Sequence, residues 1–491
     1  MKGFNSAVAG RQYTKTVCRA ENPFAIQNSR YQTVKNDLMK PVAIIGAGIT
    51  GLTTAFYLQR KGVSVRVYEA AGRAGGVIQS IRKDGFLAES GPNTLLETAP
   101  EIPRLISELN LESRRLYTHP EARTRFVVRN RRPVAMPSSP PGIFTSPLLS
   151  ARGKLALLRE PFVARRRDGK EESVAEFVTR RLNREFLDRL VDALVGGIYA
   201  GDPQHLSVRH ALPRLYQVEA KYGSLIKGQF LGARERKKGG QVARDRAPGF
   251  SFDEGLQVLP DTLAARLGDA LKLNAPVVRV AQIGNAWGVT SAQDEAEFAS
   301  VIFCGTAYGL AELKLSAPSP VKVSAFAEIR YAPVASVVLG FRREDVAHPC
   351  QGFGMLIPKI EGFKILGTIF SSALFPNRAP AGHVLLTSYV GGERSPELAG
   401  LKPDELVRLT CDDLRILLGL KGAPVFQSTA FYPRAIPQYN VGYGKFKERL
   451  DEIESNARGL FFAGHFRDGV SLGDSIVSGA NAAGRVEGYL K

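Results

Sequence analysis

IIGAGITG, residues 44–51, stands between the apolar run VAII and the segment LTTAFYLQR, in which Leu52, Ala55 and Phe56 recur at helical spacing. The run VAIIG has no polar interruption, as a parallel strand covered on both faces requires. After the helical segment, VSVRVYE (63–69) alternates and is rich in valine, which predicts a second strand. Strand, glycine turn, helix and strand form one βαβ unit. In G-x-G-x-x-G, Gly46 permits the tight turn and Gly48 lets a pyrophosphate approach the backbone. Gly51 allows the helix to pack closely on the strand. The intervening Ala47, Ile49 and Thr50 complete a loop whose N–H groups and helix dipole favour phosphate. Glu69 lies 18 residues after Gly51, where an acid accepts hydrogen bonds from ribose hydroxyls. The motif predicts an α/β, Rossmann-like dinucleotide site.

Bulk properties narrow what surrounds that site. With 491 residues, 44% of them hydrophobic, the chain supports several domains or one large interleaved body. Lys and Arg number 66 against 47 acids, a net charge of +19 that suits an anionic partner. Two basic stretches, ARRRDGKEE (164–172) and ARERKKGGQVARDR (233–246), read as solvated loops. Neither interleaves aromatic residues, and no zinc-finger or RNA-binding signature is present, so nucleic acid is not an expected partner. Cys18, Cys304, Cys350 and Cys411 are far apart with no CxxC, and the histidines are scattered, so no metal site is expected. No apolar run reaches the roughly 18 residues of a spanning helix, so contact with a membrane would be peripheral. Residues 1–39 are polar and basic and read as an extension: a transit-like leader, a tail, or sequence ahead of a true start at Met39.

Segments in the style of the first strand recur at ASVIFCGTA (299–307) and in GLFFAGHFRDGVSLGDSIVSGANAAGRV (459–486). The dinucleotide domain is therefore expected to be discontinuous, drawing on 40–110, 250–320 and 425–491. Between its pieces lie a helical insert at 111–230, with SVAEFVTRRLNREFLDRLVDALVGGIYAG its clearest amphipathic run, and a basic loop at 231–249. A strand-rich insert at 321–424 closes with the helix DELVRLTCDDLRILLGL.

The residues after Glu69 select among dinucleotides. EAAGRAGGVIQS carries an R-x-G-G run (Arg73, Gly75, Gly76), whose glycines free backbone N–H groups and whose guanidinium suits a phosphate. Together with the glycine motif and LFFAGHFRDGVSLGDSIVSG, it resembles the FAD-containing amine-oxidase and phytoene-desaturase superfamily. TRFVVRNRRPVAMPSSP, LVGGIYAGDPQHLSVRHALPRL, GFGMLIP and ILGTIFSSALFPNRAP are similar to the oxygen-dependent protoporphyrinogen oxidases, in particular their plant-like branch.

That resemblance implies FAD as cofactor, on the glycine loop, Glu69, Arg73, Gly75, Gly76 and Val77. Gly91, Pro92, Asn93 and Thr94 of SGPNTLLE, Val277, His465, Val470, Ser471 and Leu472 complete the implied set. On the substrate side it implies Arg125 paired with a propionate and Leu356, Ile369 and Tyr389 as walls, with the Gly197 carbonyl facing the pyrrole nitrogens. Tyr389 stands where plant-like members often carry phenylalanine. Tyr432 and Tyr443, in FYPRAIPQYNVGYG, replace the more usual Trp and His, changes expected to touch flavin packing. The implied reaction is six-electron oxidation of protoporphyrinogen IX by O2, with the flavin and no protein residue carrying the chemistry. The implied setting is a peripheral membrane surface, cytoplasmic in a bacterium or within a plastid or mitochondrion, with a homodimer possible in the family. Rival readings are coproporphyrinogen III oxidation and an FAD amine oxidase, although AGHFRDG lacks a cysteine for covalent flavin.

Overall fold

Four apolar residues in succession make β1 (Val42–Ile45), buried at every position in the computed structural model. It turns directly into α1 (Ile49–Arg60) and then β2 (Val65–Tyr68). The structure describes residues 40–137, 140–166, 168–229, 231–232, 247–318 and 321–491. The expected leader at 1–39 and the stretch 233–246 lie outside them. Downstream come β3 (Phe86–Glu89), β4 (Arg125–Arg129) and β5 (Arg132–Ala135). The helices α2 (Ala151–Arg159), α3 (Val174–Arg181), α4 (Asp192–Tyr199) and α5 (Pro213–Tyr222) follow. The middle of the chain supplies β6 (Leu271–Lys272), β7 (Val277–Ile283) and β8 (Ser300–Phe303). Next are β9 (Tyr331–Arg342), β10 (Gly354–Leu356), β11 (Ile365–Ile369) and β12 (His383–Gly391). The chain closes with α6 (Pro403–Leu418), β13 (Phe426–Pro437), β14 (Leu460–Phe462) and α7 (Leu472–Leu490).

β6, β2, β1, β8 and β14 lie side by side, all parallel, so three distant parts of the chain build one doubly wound sheet. Ligands bind such sheets outside the carboxyl ends of the strands, and the glycine loop leaves β1 at that end. On one face α1 packs against α7: the Thr50 and Thr54 hydroxyls donate to the Ser475 and Gly479 carbonyls, each at 3.1 Å. A Cβ on Gly479 would stand 2.5 Å from the Thr50 carbonyl oxygen, so the two helices meet this closely only because the position is glycine.

The second large sheet runs β13–β9–β12–β11–β10–β4–β5. It is antiparallel except where β10 pairs with β4 in parallel, Gly354 opposite Arg125. Leu406, Leu414, Leu417 and Leu418 of α6 pack with Val337, Leu339 and Phe341 of β9 in one buried cluster.

Three features differ from the expectation. Residues 125–135, within the expected helical insert, form a hairpin that extends the second sheet. Asn130 and Arg131 both take positive φ (50° and 61°), the turn type whose twist matches paired strands. The sheet also runs past residue 424, because β13 pairs with β9 as far as Pro437 opposite Tyr331. The long amphipathic run is not one helix. Leu182 leaves helical geometry (φ −115°, ψ −95°), and Asn183 caps a fresh turn by accepting from the Phe186 N–H. A π-helical stretch, Leu187–Val191, then leads into α4.

Candidate active site

A cleft of about 3670 Å³ begins at the glycine loop and runs between the two sheets to helices α2 and α5. It is several times the roughly 300–1,000 Å³ of a pocket for one small ligand. At its inner end Gly46 takes φ 101°, and a Cβ on Gly51 would fall 1.9 Å from the Gly46 carbonyl oxygen, so turn and helix close on each other. Gly48 is the opposite case: nothing lies within 4 Å of its missing Cβ. α1 has no side-chain cap and no acid in its first turn. Its first N–H groups and the positive end of its dipole therefore meet open space, an arrangement that fits a pyrophosphate.

Gly46, Gly48, Ile49 and Thr50 line the cleft, with Glu69, Gly75, Gly76, Val77, Gly91, Pro92, Thr94 and Val277. Glu69 accepts from the Ala47 N–H at 2.7 Å and the Ala71 N–H at 2.9 Å, which fixes the carboxylate beside the loop. Four expected cofactor residues are not on the wall. Ala47 is spent on Glu69, Gly51 on packing, and Asn93 sits behind the surface. Arg73 is the clearest case. Its guanidinium donates to the carbonyls of Ala74, Gly76 and Ile78 at 3.2, 2.5 and 3.0 Å, so it shapes its own loop and does not face the cleft.

His465, Val470, Ser471 and Leu472 line the cleft from the C-terminal side, where Ser471 caps α7 with Asp474. Burial pushes the His465 imidazole down to about 4, so it is neutral near pH 7. The loop holding it is braced from behind. The Tyr439 hydroxyl donates to the His465 carbonyl and accepts from the Gly469 N–H, and the Tyr443 hydroxyl donates to the Phe466 carbonyl. Tyr443 thus supports the loop from outside the cleft, whereas Tyr432 does line it.

Beyond the loop, the large sheet presents Leu356, Ile369 and Tyr389 on three neighbouring strands, and all three line the cleft. Arg125 opens β4 on the same wall, its guanidinium 5.3 Å from the centre of the Phe353 ring. Gly197 is mid-wall in α4. It does not cap the helix, since Ala200 takes the left-handed position (φ 46°). Its missing side chain instead makes room for Leu356, whose Cδ2 would lie 2.4 Å from a Cβ there. α4 is locked to this sheet by Arg394, which pairs with Asp192 at 2.8 Å and donates to the Ile357 carbonyl.

The sequence pattern described as flavin containing amine oxidoreductase matches residues 49–487. The chain belongs to that family. Protoporphyrinogen oxidase 2, chloroplastic/mitochondrial, of Arabidopsis thaliana is 36% identical to it over 481 residues, spanning 92% of this chain and 94% of that one. Mitochondrial protoporphyrinogen oxidase of Nicotiana tabacum is 35% identical, spanning 93% and 96%. Coproporphyrinogen III oxidase of Bacillus subtilis is 28% identical, spanning 93% and 99%. A solved structure from Exiguobacterium sp. 255-15 shares the fold with TM-score 0.77 at 22% identity, covering 91% of this chain and 98% of that one. Among the flavin-containing amine oxidoreductases, the chain is therefore a member of the protoporphyrinogen oxidase branch.

FAD, the cofactor of this family, fits the residues present. Besides the open helix end, Thr94 Oγ1 and Ser336 Oγ are buried on the cleft wall with no hydrogen-bond partner. An unmet buried hydroxyl costs about 1–3 kcal/mol, so these two are groups for a bound ligand to satisfy. Ser336, Phe353 and Val334 also line the cleft and were not among the expected site residues. β9 is buried at every position from Val334 to Phe341, and nothing in the sequence says which face of a sheet buried on both sides meets a ligand.

Proposed function

We propose that this chain oxidises protoporphyrinogen IX to protoporphyrin IX in three two-electron steps, removing six hydrogens while three O2 become three H2O2. The carrying observation is the continuity of the cleft, from a helix end suited to a pyrophosphate to an apolar chamber with an arginine on its wall. Bound FAD supplies the two-electron acceptor at each step. The chain's own residues place the substrate. Arg125 pairs with a propionate, as a guanidinium matches a carboxylate, and stacking on Phe353 holds the guanidinium in place. Leu356, Ile369 and the Tyr389 ring form an apolar slot for the macrocycle and exclude water. Gly197 lets α4 approach near enough for its backbone to edge that slot.

The cleft mouth supports a peripheral membrane location. Leu157, Leu158 and Pro161 line it, and Leu155, Leu158 and Phe162 expose 55%, 59% and 87% of their surface beside the exposed Arg152 and Arg159. No helix among the described residues is long and apolar enough to cross a membrane. Apolar side chains among cations suit the face of an anionic bilayer. Sedimentation with anionic vesicles tests this: Phe162→Asp is expected to leave the protein in the supernatant, and unchanged binding contradicts the proposed face.

Coproporphyrinogen III is a second reading, favoured by Arg214 and Lys221, two further cations on the cleft wall. Turnover of both porphyrinogens by the purified protein decides between them. Faster oxidation of the substrate with four carboxylates overturns the first reading.

A further inference from the structure

We propose that the Tyr389 hydroxyl is a positioning group for the flavin, tying the cofactor-side turn at residues 91–93 to the wall that meets the substrate. The inference rests on the FAD site proposed above and not on the identity of the porphyrinogen.

Tyr389 has two roles at one position. The residue lines the chamber, and its hydroxyl accepts from Asn93 Nδ2 at 2.9 Å and donates to the Gly91 carbonyl at 3.2 Å. Burial pushes the phenol well above its ordinary range, so the proton needed for that donation is retained. The string continues behind the wall. Ser371 Oγ donates to Asn93 Oδ1 at 3.4 Å and meets Thr387 Oγ1 at 2.9 Å. Ser371 and Thr387 are 2% and 0% exposed, and Thr387 lies on Tyr389's own strand.

What this string holds is the turn whose two ends face the cofactor. Gly91 and Thr94 are on the cleft wall, with Asn93 buried between them as the anchor. From the other side the turn is pressed against the R-x-G-G loop, since a Cβ on Gly91 would be 2.2 Å from the Val77 carbonyl oxygen. Backbone packing therefore sets one side of the turn and the Tyr389 hydroxyl sets the other. Without that hydroxyl, Asn93 Nδ2 keeps only its 3.5 Å contact to the Gly91 carbonyl, and that carbonyl loses the closer of its two donors. A phenylalanine at 389 keeps the substrate wall and removes the tie. The position thus bears on the flavin more than on the macrocycle.

The test compares purified holoprotein with Tyr389→Phe, Tyr389→Leu and Ser371→Ala, reading the FAD dissociation constant, the flavin absorption bands and the split between KM and kcat. Tyr389→Phe is expected to weaken FAD about tenfold, as loss of a buried hydrogen bond does, and to shift the flavin bands while KM for porphyrinogen barely moves. Tyr389→Leu is expected to add a rise in KM. Ser371→Ala, off the cleft wall, is expected to weaken FAD in the same direction and to be non-additive with Tyr389→Phe. Wild-type FAD affinity and spectrum in Tyr389→Phe overturn the proposal, and so does strict additivity of the two variants. If Tyr389→Phe does not fold, the Ser371→Ala spectrum and FAD affinity decide alone. Failure of the functional reading looks different: wild-type protein would hold FAD and leave porphyrinogen unoxidised while the contrast in FAD affinity and flavin bands among variants persisted.

Discussion

Two glycines three positions apart, Gly48 and Gly51, separate binding from folding at the level of single residues. A methyl on Gly48 enters empty space above the loop, whereas one on Gly51 collides with the Gly46 carbonyl at 1.9 Å. Gly48→Ala is expected to keep the wild-type melting temperature and lose FAD affinity about tenfold, because an overpacked contact then forms only with ligand bound. Gly51→Ala is expected to lower the melting temperature of the apoprotein, costing about 1–3 kcal/mol or more as backbone shifts. Thermal unfolding with and without FAD checks both, and equal melting temperatures for the two variants would contradict the division. The tight turn at Gly46 and the close packing at Gly51 were legible in the sequence because the motif's spacing encodes its geometry. Arg73 was not, because a guanidinium that suits a phosphate suits a backbone carbonyl equally well, and only the folded loop shows three carbonyls converging on it.

At the level of elements, β3 is joined to the segment between β11 and β12 by an ion pair between Glu89 and Arg378, each 1% exposed at 2.9 Å. Burial pushes the Glu89 carboxyl up to about 6 in spite of Arg378, Ser80 Oγ and the Leu256 N–H, and burial also lowers the Arg378 guanidinium's affinity for its proton. Desolvation thus outweighs the mutual attraction, as buried pairs commonly show. Because the folded state holds the Glu89 proton more tightly than the ordinary value of 4.5, stability from this group falls as pH rises from about 4.5 to 6 and is flat above. The change amounts to roughly 2 kcal/mol. Urea unfolding of wild type and Glu89→Gln across that window checks it, the variant losing the slope. Arg378→Leu is expected to cost about 3–5 kcal/mol, since it strands a buried carboxyl. The strand and helix types on either side were legible from period alone. The hairpin of β4 and β5 was hidden by its setting among helices, although Asn130 in a short polar turn between alternating strands was the available signal. The break at Leu182 was hidden because apolar periodicity ran on through it.

For the whole molecule, the parallel sheet could be read from three distant segments because each carries the apolar run of a strand covered on both faces. The cleft could not, since its far wall comes from β9 through β13 and its mouth from α2 and α5, contacts that no local pattern encodes. The measurement that tests the central claim most directly is anaerobic mixing of the FAD-loaded protein with protoporphyrinogen IX, followed at the flavin absorbance. Bleaching of the flavin together with appearance of porphyrin is expected, with a much slower rate in Arg125→Ala. Flavin that stays oxidised in the presence of protoporphyrinogen, while the same protein is reduced by an amine, would contradict it.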